Sequence, residues 1–195
     1  GVYARMKKFG IPCYTIGKDE WKPDSTGKQV LDLLRKESVS WIVLAGFLAY
    51  IPQSLINAYE GHIINIHPSL LPKYGGKGMW GHHVHEAVIA ARDTVSGITI
   101  HHVSERLDEG NIIFQTQCEV LPDDTPYSLA ERIHQLEYTY YPRFLINLAG
   151  LPAHISLSGT DFVTTLPAPI MALRPIVISP VRIALQPIKA CSLMV

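Results

Sequence analysis

Residues 63–72 have the sequence IINIHPSLLP, in which an apolar run ends in polar side chains and proline. Asn65 and His67 are two residues apart, so on an extended strand their side chains project to the same side. Pro68 has no backbone N–H and ends regular pairing just after His67. The stretch therefore predicts a buried strand whose last residues present an amide and an imidazole together.

Strands and helices alternate on both sides of this stretch. Residues 40–45 are nearly all apolar, which is typical of a strand covered on both faces. The apolar positions of residues 26–36 form one stripe of a helix that Thr26 can cap. We predict helices at 2–9, 26–36, 82–92 and 125–149, a short helix at Pro52, and strands at 11–16, 40–45, 63–66, 97–103 and 111–120. This order favours an α/β fold with an open sheet and an antiparallel edge, where ligands bind beyond the carboxyl ends of the strands.

The charge balance and the cysteines limit the class of protein. Lys plus Arg and Asp plus Glu number 17 each, so a zero net charge gives no electrostatic reason to expect nucleic acid or an anionic membrane as partner. Cys13, Cys118 and Cys191 are far apart, which argues against a zinc ribbon or disulfide framework and suits a reducing compartment. The first residues lack the apolar core of a signal peptide, and no run of about 18 uncharged apolar residues precedes residue 150. We therefore predict a cytoplasmic protein with no membrane or nucleic-acid partner.

Residues 152–195 differ in composition from the rest of the chain. They contain six prolines and only four charged residues. At this density proline is expected to interrupt helices and central strands. We expect an ill-ordered or non-native extension with no assigned domain; a strap or partner-binding arm is the alternative. A single folded domain is predicted over residues 1–151.

Asn65, His67 and Asp108 are the candidate reactive residues. An amide N–H can donate to an oxyanion that develops during acyl transfer, and a histidine can move a proton or donate in its charged form. Asp108 lies in the sequence LDEG at 107–110, from which it could orient and support the imidazole. Each of these residues has a purely structural alternative. Asn and Asp-x-Gly favour turns, and a lone histidine is often a core residue whose hydrogen bonds are all made within the protein.

A cluster of histidines raises the question of a metal site. Its members are His82, His83, His85, His101 and His102. His82 and His85 could share a helix face, but no HExxH or comparable spacing with a third ligand is present. We therefore expect no metal.

Several motifs occur in the order found in one enzyme family. They are VLAGF at 43–47, NIHPSLLPKY at 65–74, GGKGMWG at 75–81, VHEA at 84–87, GITIHH at 97–102, LDEG at 107–110, DTP at 124–126, and a helix with Glu137 and Tyr141-Pro142. Over residues 2–151 the chain resembles the glycinamide ribonucleotide formyltransferases, also called phosphoribosylglycinamide formyltransferases. Methionyl-tRNA formyltransferases and formyltetrahydrofolate deformylases share the Asn-x-His pair, but HPSLLPKY at 67–74 favours the ribonucleotide enzymes.

The resemblance implies a Rossmann-like α/β fold, with an open and mostly parallel sheet flanked by helices, and a reaction of purine biosynthesis. The formyl group of 10-formyltetrahydrofolate, the co-substrate, would pass to the amino group of glycinamide ribonucleotide. By family position, Asn65 and His67 would stabilise the tetrahedral oxyanion, while Asp108 would support His67 and the proton transfers. Holding both substrates in line would lower the barrier further. Residues 1–151 would then be the catalytic domain.

The same resemblance implies two groups of binding residues. The folate pocket would be lined by Leu48, Ile51 and Ile56, with backbone contacts from Ser104, Glu105, Arg106 and Leu107. The ribonucleotide side would include Pro68, His101 and Glu137. The alternatives are plain core packing for the apolar residues, strand packing for His101 and an exposed helix carboxylate for Glu137.

The beginning of the chain departs from the family pattern. A first strand and a Gly/Ser-rich loop that cradles the substrate phosphate would precede Gly1, and residues 75–78 do not replace that loop by position. We expect a fragment of a longer chain. The alternatives are a formyltetrahydrofolate deformylase, which needs no amine substrate, and a non-catalytic folate-binding module without a phosphate site. The oligomeric state is left open.

Overall fold

The computed structural model describes residues 12–148, 175–179 and 182–185. Its elements are β1 (Cys13–Tyr14), a 3-10 helix (Lys18–Trp21), α1 (Lys28–Lys36), β2 (Trp41–Leu44), α2 (Gln53–Ala58), β3 (Ile63–His67), α3 (His82–Ala90), β4 (Val95–His102), β5 (Ile112–Glu119), α4 (Pro126–Leu148), β6 (Pro175–Ser179) and β7 (Arg182–Leu185). This alternation confirms the α/β class. The helix predicted at 2–9 lies outside the described residues.

The described residues group into two compact units. The first unit runs up to Ile63 and resumes at Pro142. The second is the uninterrupted segment Ile64–Tyr141. It contains most of β3, all of β4 and β5, α3 and the greater part of α4.

Strands of the first unit combine early and late parts of the chain. β6 pairs in parallel with β2, with Trp41 opposite Pro175, and β7 pairs antiparallel with both β6 and β1. The expectation that prolines keep residues 152–195 out of a sheet is therefore wrong for β6 and β7. Pro175 is the first residue of its strand, where a missing N–H interrupts no internal pairing. The predicted division into a domain and an extension remains a prediction.

Helix α1 packs its apolar side into the core and begins at a close contact with the segment that leads into α2. Val30 and Leu34 are fully buried, as the apolar stripe predicts. The helix is preceded by Gly27 in the left-handed region (φ 59°), not capped by Thr26 as predicted. A side chain at Gly27 would press on Pro52, and the carbonyl of Thr26 instead accepts a hydrogen bond from Ser54 Oγ at 2.6 Å. Close approach of α2 thus requires glycine at this position.

The second unit is built on an antiparallel meander. β3 pairs with β4, which places Asn65 opposite His101 and His67 opposite Thr99, and β4 pairs with β5. β4 is buried from Ser96 to His101, whereas β5 alternates between half-buried and exposed residues. The expected mostly parallel sheet is thus a mixed sheet, because short connections between β4 and β5 and between β6 and β7 impose antiparallel pairing.

Gly97 is required where β4 pairs closely with β5. A Cβ at this position would overlap the carbonyl oxygen of Thr116 and would lie 2.7 Å from Leu70 Cδ2. We expect Gly97→Ala to lower the free energy of unfolding by about 2–3 kcal/mol, because the backbone of a paired strand must move. Urea titration followed by circular dichroism measures the change. Gly17→Ala is the matched control, since nothing lies within 4 Å of its added Cβ; an equal loss in both variants would contradict the packing explanation.

Candidate active site

Asn65 is oriented by a histidine on the neighbouring strand. Asn65 Nδ2 lies 3.3 Å from His101 Nε2. The other ring nitrogen of His101, Nδ1, lies 2.9 Å from the carbonyl oxygen of His102. A carbonyl oxygen only accepts, so Nδ1 carries the proton and Nε2 accepts from the Asn65 amide. One N–H of that amide remains for another acceptor.

His101 is held neutral in this arrangement. Its side chain is almost completely buried, and burial, which penalises the charged ring, lowers the pKa of His101. The bond to His102 and the nearby Asp108 favour the charged form but do not reverse the shift. His101 is therefore suited to orienting Asn65 rather than to exchanging a proton.

His67 is fixed by a backbone carbonyl. The buried ring donates its Nε2–H to the carbonyl oxygen of Tyr74 at 2.8 Å. Tyr74 adopts the left-handed backbone region (φ 57°), which is rare for an aromatic residue. With Nε2 protonated, Nδ1 is the nitrogen of neutral His67 that can accept a proton, and it faces Asp108.

Asp108 lies between the two imidazoles. Its Oδ2 is 3.6 Å from His67 Nδ1 and its Oδ1 is 3.7 Å from His101 Nε2, both longer than a hydrogen bond. Oδ2 also accepts the backbone N–H of Gly76 at 2.9 Å. The residue is in the left-handed region (φ 58°), which Asp and Asn tolerate better than other non-glycine residues. The carboxylate is therefore aimed inward from a tight turn.

Gly110 makes that turn possible. A Cβ there would overlap the carbonyl oxygen of His102, while the backbone N–H of His102 donates to the carbonyl of Asn111 at 2.9 Å. Only glycine lets the chain return to β5 this closely. The sequence LDEG thus forms the turn expected of Asp-x-Gly and also delivers a carboxylate, so its two interpretations are compatible.

The loop after β3 is fastened to the sheet by two polar side chains that sequence reasoning missed. Thr99 Oγ1 donates to the carbonyl of Ser69 at 2.6 Å and accepts the N–H of Leu71 at 3.0 Å. Gln115 Nε2 reaches both Thr99 Oγ1 at 2.8 Å and the carbonyl of Leu71 at 2.9 Å. The available signal was a threonine within a buried strand. These bonds hold the segment that follows His67 in place.

The resulting group of side chains suits acyl transfer. It offers an amide N–H, an imidazole and a carboxylate, all oriented by protein contacts. Donors fixed beforehand stabilise a developing oxyanion without reorganisation, and an imidazole beside a carboxylate can relay protons.

Residues 2–145 match the family model described as Formyl transferase. The chain belongs to the formyl transferase family. It is similar to phosphoribosylglycinamide formyltransferase of Bacillus subtilis, 37% identical over 151 residues covering 77% of this chain and 75% of the relative. The chloroplastic phosphoribosylglycinamide formyltransferase of Arabidopsis thaliana is 41% identical over 141 residues, 71% of this chain and 48% of the relative. The chain thus spans about half the length of this plant relative.

Solved structures agree with the family. The phosphoribosylglycinamide formyltransferase from Bacillus halodurans has a TM-score of 0.67 and 34% identity, covering 75% of this chain and 74% of its own. A formyltetrahydrofolate deformylase from Pseudomonas syringae has a TM-score of 0.65 and 25% identity, covering 74% of this chain and 47% of its own. The resemblance inferred from the motifs is confirmed.

The residues predicted to bind folate fall in different units. Leu48 is 59% exposed, which excludes core packing for this side chain, and Ile51 is buried; both lie in the first unit, as does the half-buried Ile56. In the second unit, Ser104 Oγ donates to the carbonyl of Arg106 at 3.0 Å within a turn. Glu105, Arg106 and Leu107 are exposed there. Their joint role in binding remains a prediction.

The residues predicted for the ribonucleotide side lie in the second unit. Pro68 follows His67 directly and is half-buried, and His101 is the partner of Asn65. Glu137 on α4 is half-buried, and burial raises the pKa of its carboxyl to about 7. The exposed-carboxylate alternative does not describe Glu137, although its role remains a prediction.

The described part of the chain offers no candidate metal centre. No group of three or more His, Cys, Asp or Glu residues there could hold a metal ion. Among the described helices, none has the length and apolar character needed to cross a membrane. Cys13 and Cys118 form no disulfide among the described residues.

His85 on α3 should make the protein sensitive to acid. The ring is buried without a hydrogen-bond partner for Nδ1 among the described residues, and burial, with smaller repulsion from other histidines, lowers the pKa to about 4. Between that value and 6.5 the unfolded chain binds more protons at this site, so the stability present above pH 6.5 is lost as pH falls toward 4. We expect this to contribute roughly 2 kcal/mol, after allowance for solvent screening.

Urea unfolding between pH 4 and 7 measures this effect as a difference between variants. His85→Gln should reduce the loss of stability on acidification. His83→Gln removes an exposed imidazole from the same helix and serves as the control. An unchanged pH slope in His85→Gln would contradict the assignment.

Proposed function

We propose that the chain transfers a formyl group from 10-formyltetrahydrofolate to the amino group of glycinamide ribonucleotide, a step of purine biosynthesis. The observation that supports this most directly is the convergence of Asn65, His67 and Asp108 in one unit of a formyl transferase. The names of the relatives in Bacillus subtilis and Arabidopsis thaliana support the same substrate.

The proposed roles follow from the hydrogen bonds. The amine nitrogen forms a bond to the formyl carbon, whose oxygen becomes an oxyanion that accepts the remaining N–H of Asn65. The C–N bond to the folate then breaks, and the released nitrogen gains a proton as the amine loses one. His67 Nδ1 and Asp108, 3.6 Å apart, are placed to pass that proton. Neutral His101 accepts one N–H of Asn65 and so directs the other N–H toward the oxyanion.

Binding of the two substrates is part of the proposal. In the first unit Leu48, Ile51 and Ile56 would supply apolar contacts to folate, and in the second unit the turn at 104–107 would contact the pterin through its backbone. Pro68 and Glu137 face the ribonucleotide. The raised pKa of Glu137, to about 7, suits a carboxyl that exchanges solvent for substrate hydroxyls, because a neutral carboxyl both donates and accepts.

We also propose a cytoplasmic location for this enzyme. The absence of a disulfide at Cys13 and Cys118 among the described residues supports a reducing compartment, whereas the plant relative is named chloroplastic. Cell fractionation with an antibody to the chain distinguishes the two compartments.

The deciding experiment measures release of folate from a 10-formyl folate with and without glycinamide ribonucleotide. Turnover that requires the amine supports the proposal. Turnover of equal rate without the amine would identify a deformylase, the activity named for the Pseudomonas syringae structure. Folate binding without any turnover would identify a binding module.

Asp108→Asn tests the proton-transfer role in isolation. Asn tolerates the left-handed backbone and can still accept the N–H of Gly76, but it is not a base. We expect kcat to fall at least about 100-fold, with the dissociation constant of the folate nearly unchanged. Glu109→Gln, which neutralises the adjacent exposed carboxylate, is the matched control. Wild-type kcat in Asp108→Asn would refute the role.

A further inference from the structure

The carbonyl of Tyr74 orients His67, yet nothing in the local sequence compels it to point there. Tyr74 is a non-glycine residue in the left-handed region. Residues held in such conformations persist only where surrounding contacts determine them. The contacts that hold residues 73–74 therefore act indirectly on His67.

A single carboxylate beyond the end of α3 holds both of these residues. Asp93 Oδ2 accepts the phenol O–H of Tyr74 at 2.8 Å. Lys73 Nζ lies 2.6 Å from Oδ2 and 2.7 Å from Oδ1 of the same carboxylate. Asp93 is itself anchored, since its backbone N–H donates to the carbonyl of Val88 at 3.3 Å. Two consecutive side chains of the loop thus end on one fixed acceptor.

The phenol bond is the more important of the two contacts. Lys73 is exposed, and exposed ion pairs contribute little because solvent screens them. Tyr74 and Asp93 are half-buried, and a hydrogen bond to an ionised acceptor is stronger than one between neutral groups. Ser69 Oγ, which donates to the carbonyl of Lys73 at 2.8 Å, also holds this segment.

We infer that Asp93 is a positioning residue for His67: it accepts the Tyr74 phenol, holds residues 73–74, and so aims the Tyr74 carbonyl at His67 Nε2. The inference rests on the proposed catalytic role of His67 for its effect on turnover. Its effect on the ring itself does not depend on that role. Asp93 lies outside the cluster of Asn65, His67 and Asp108, so it acts through the loop and not on the reacting atoms.

The test follows the Nε2–H of His67 by 15N-edited proton NMR in the full chain. Tyr74→Phe removes one oxygen, and Asp93→Ala removes the acceptor. In both variants we expect exchange of this proton with solvent to accelerate about tenfold or more, because the carbonyl no longer holds it. Amine-dependent kcat should fall roughly tenfold, with KM for the folate within about twofold, because the imidazole is misplaced.

Three further variants separate positioning from general stability. Asp93→Asn keeps an oxygen that accepts the phenol, so it should restore slow exchange and most of kcat. Lys73→Met removes the exposed ion pair and the ammonium group 5.0 Å above the Tyr74 ring, but it keeps the phenol bond to Asp93 and should behave as wild type. Thr94→Ala changes the exposed residue next to Asp93 and is the control for local disturbance.

Each result decides the inference. Wild-type exchange in both Tyr74→Phe and Asp93→Ala would overturn it, as would equal acceleration in Thr94→Ala. If Asp93→Ala does not fold, Tyr74→Phe decides by the same measurement. If the wild type shows no formyl transfer, the proposed function fails, but the exchange rates still establish whether Asp93 holds His67.

Discussion

The hydrogen bond from His67 Nε2 to the carbonyl of Tyr74 determines the chemistry of the remaining groups in the site. A neutral imidazole has one proton and one lone pair, and which nitrogen holds each depends on its partners. Because the Tyr74 carbonyl accepts a hydrogen bond from Nε2–H, the proton stays on Nε2 and the lone pair on Nδ1 faces Asp108. His101 follows the same rule through the carbonyl of His102, and its lone pair receives Asn65. Two backbone oxygens therefore set the direction of three side chains.

This arrangement of side chains requires unusual backbone conformations. Tyr74 and Asp108 both occupy the left-handed region. At position 110 only glycine fits against the carbonyl of His102. The surrounding bonds from Thr99 and Gln115 to the loop oppose relaxation. Local strain of this kind concentrates where a scaffold must present polar groups in fixed directions.

Part of this organisation can be predicted from sequence alone. The alternation of side chains along a strand and the presence of Pro68 are sufficient to place Asn65 and His67 on the same side at the end of β3, because both signals are local. The approach of Asp108 cannot be derived in this way, since it depends on the register of β3 with β4 and on a left-handed turn. The LDEG motif marked Asp108 as a candidate, and the resemblance to a family implied its place beside His67.

Other features were beyond the reach of sequence patterns. Asp93, Thr99 and Gln115 act through contacts distant in the chain, and none stands out by composition. The start of α1 at Gly27 instead of Thr26 depends on the nearness of Pro52. The strand at 175–179 depends on a single proline being its first residue. In each case tertiary packing overrode a local preference.

The second unit is one unbroken stretch of chain, from Ile64 to Tyr141. Asn65, His67, Tyr74, Asp93 and Asp108 all belong to it. A gene segment encoding these residues could move as a block with two crossover points and would bring its own supporting contacts. Pro68 and Glu137, which the proposal assigns to the ribonucleotide, lie in the same block, so the catalytic group and its acceptor contacts would be inherited together.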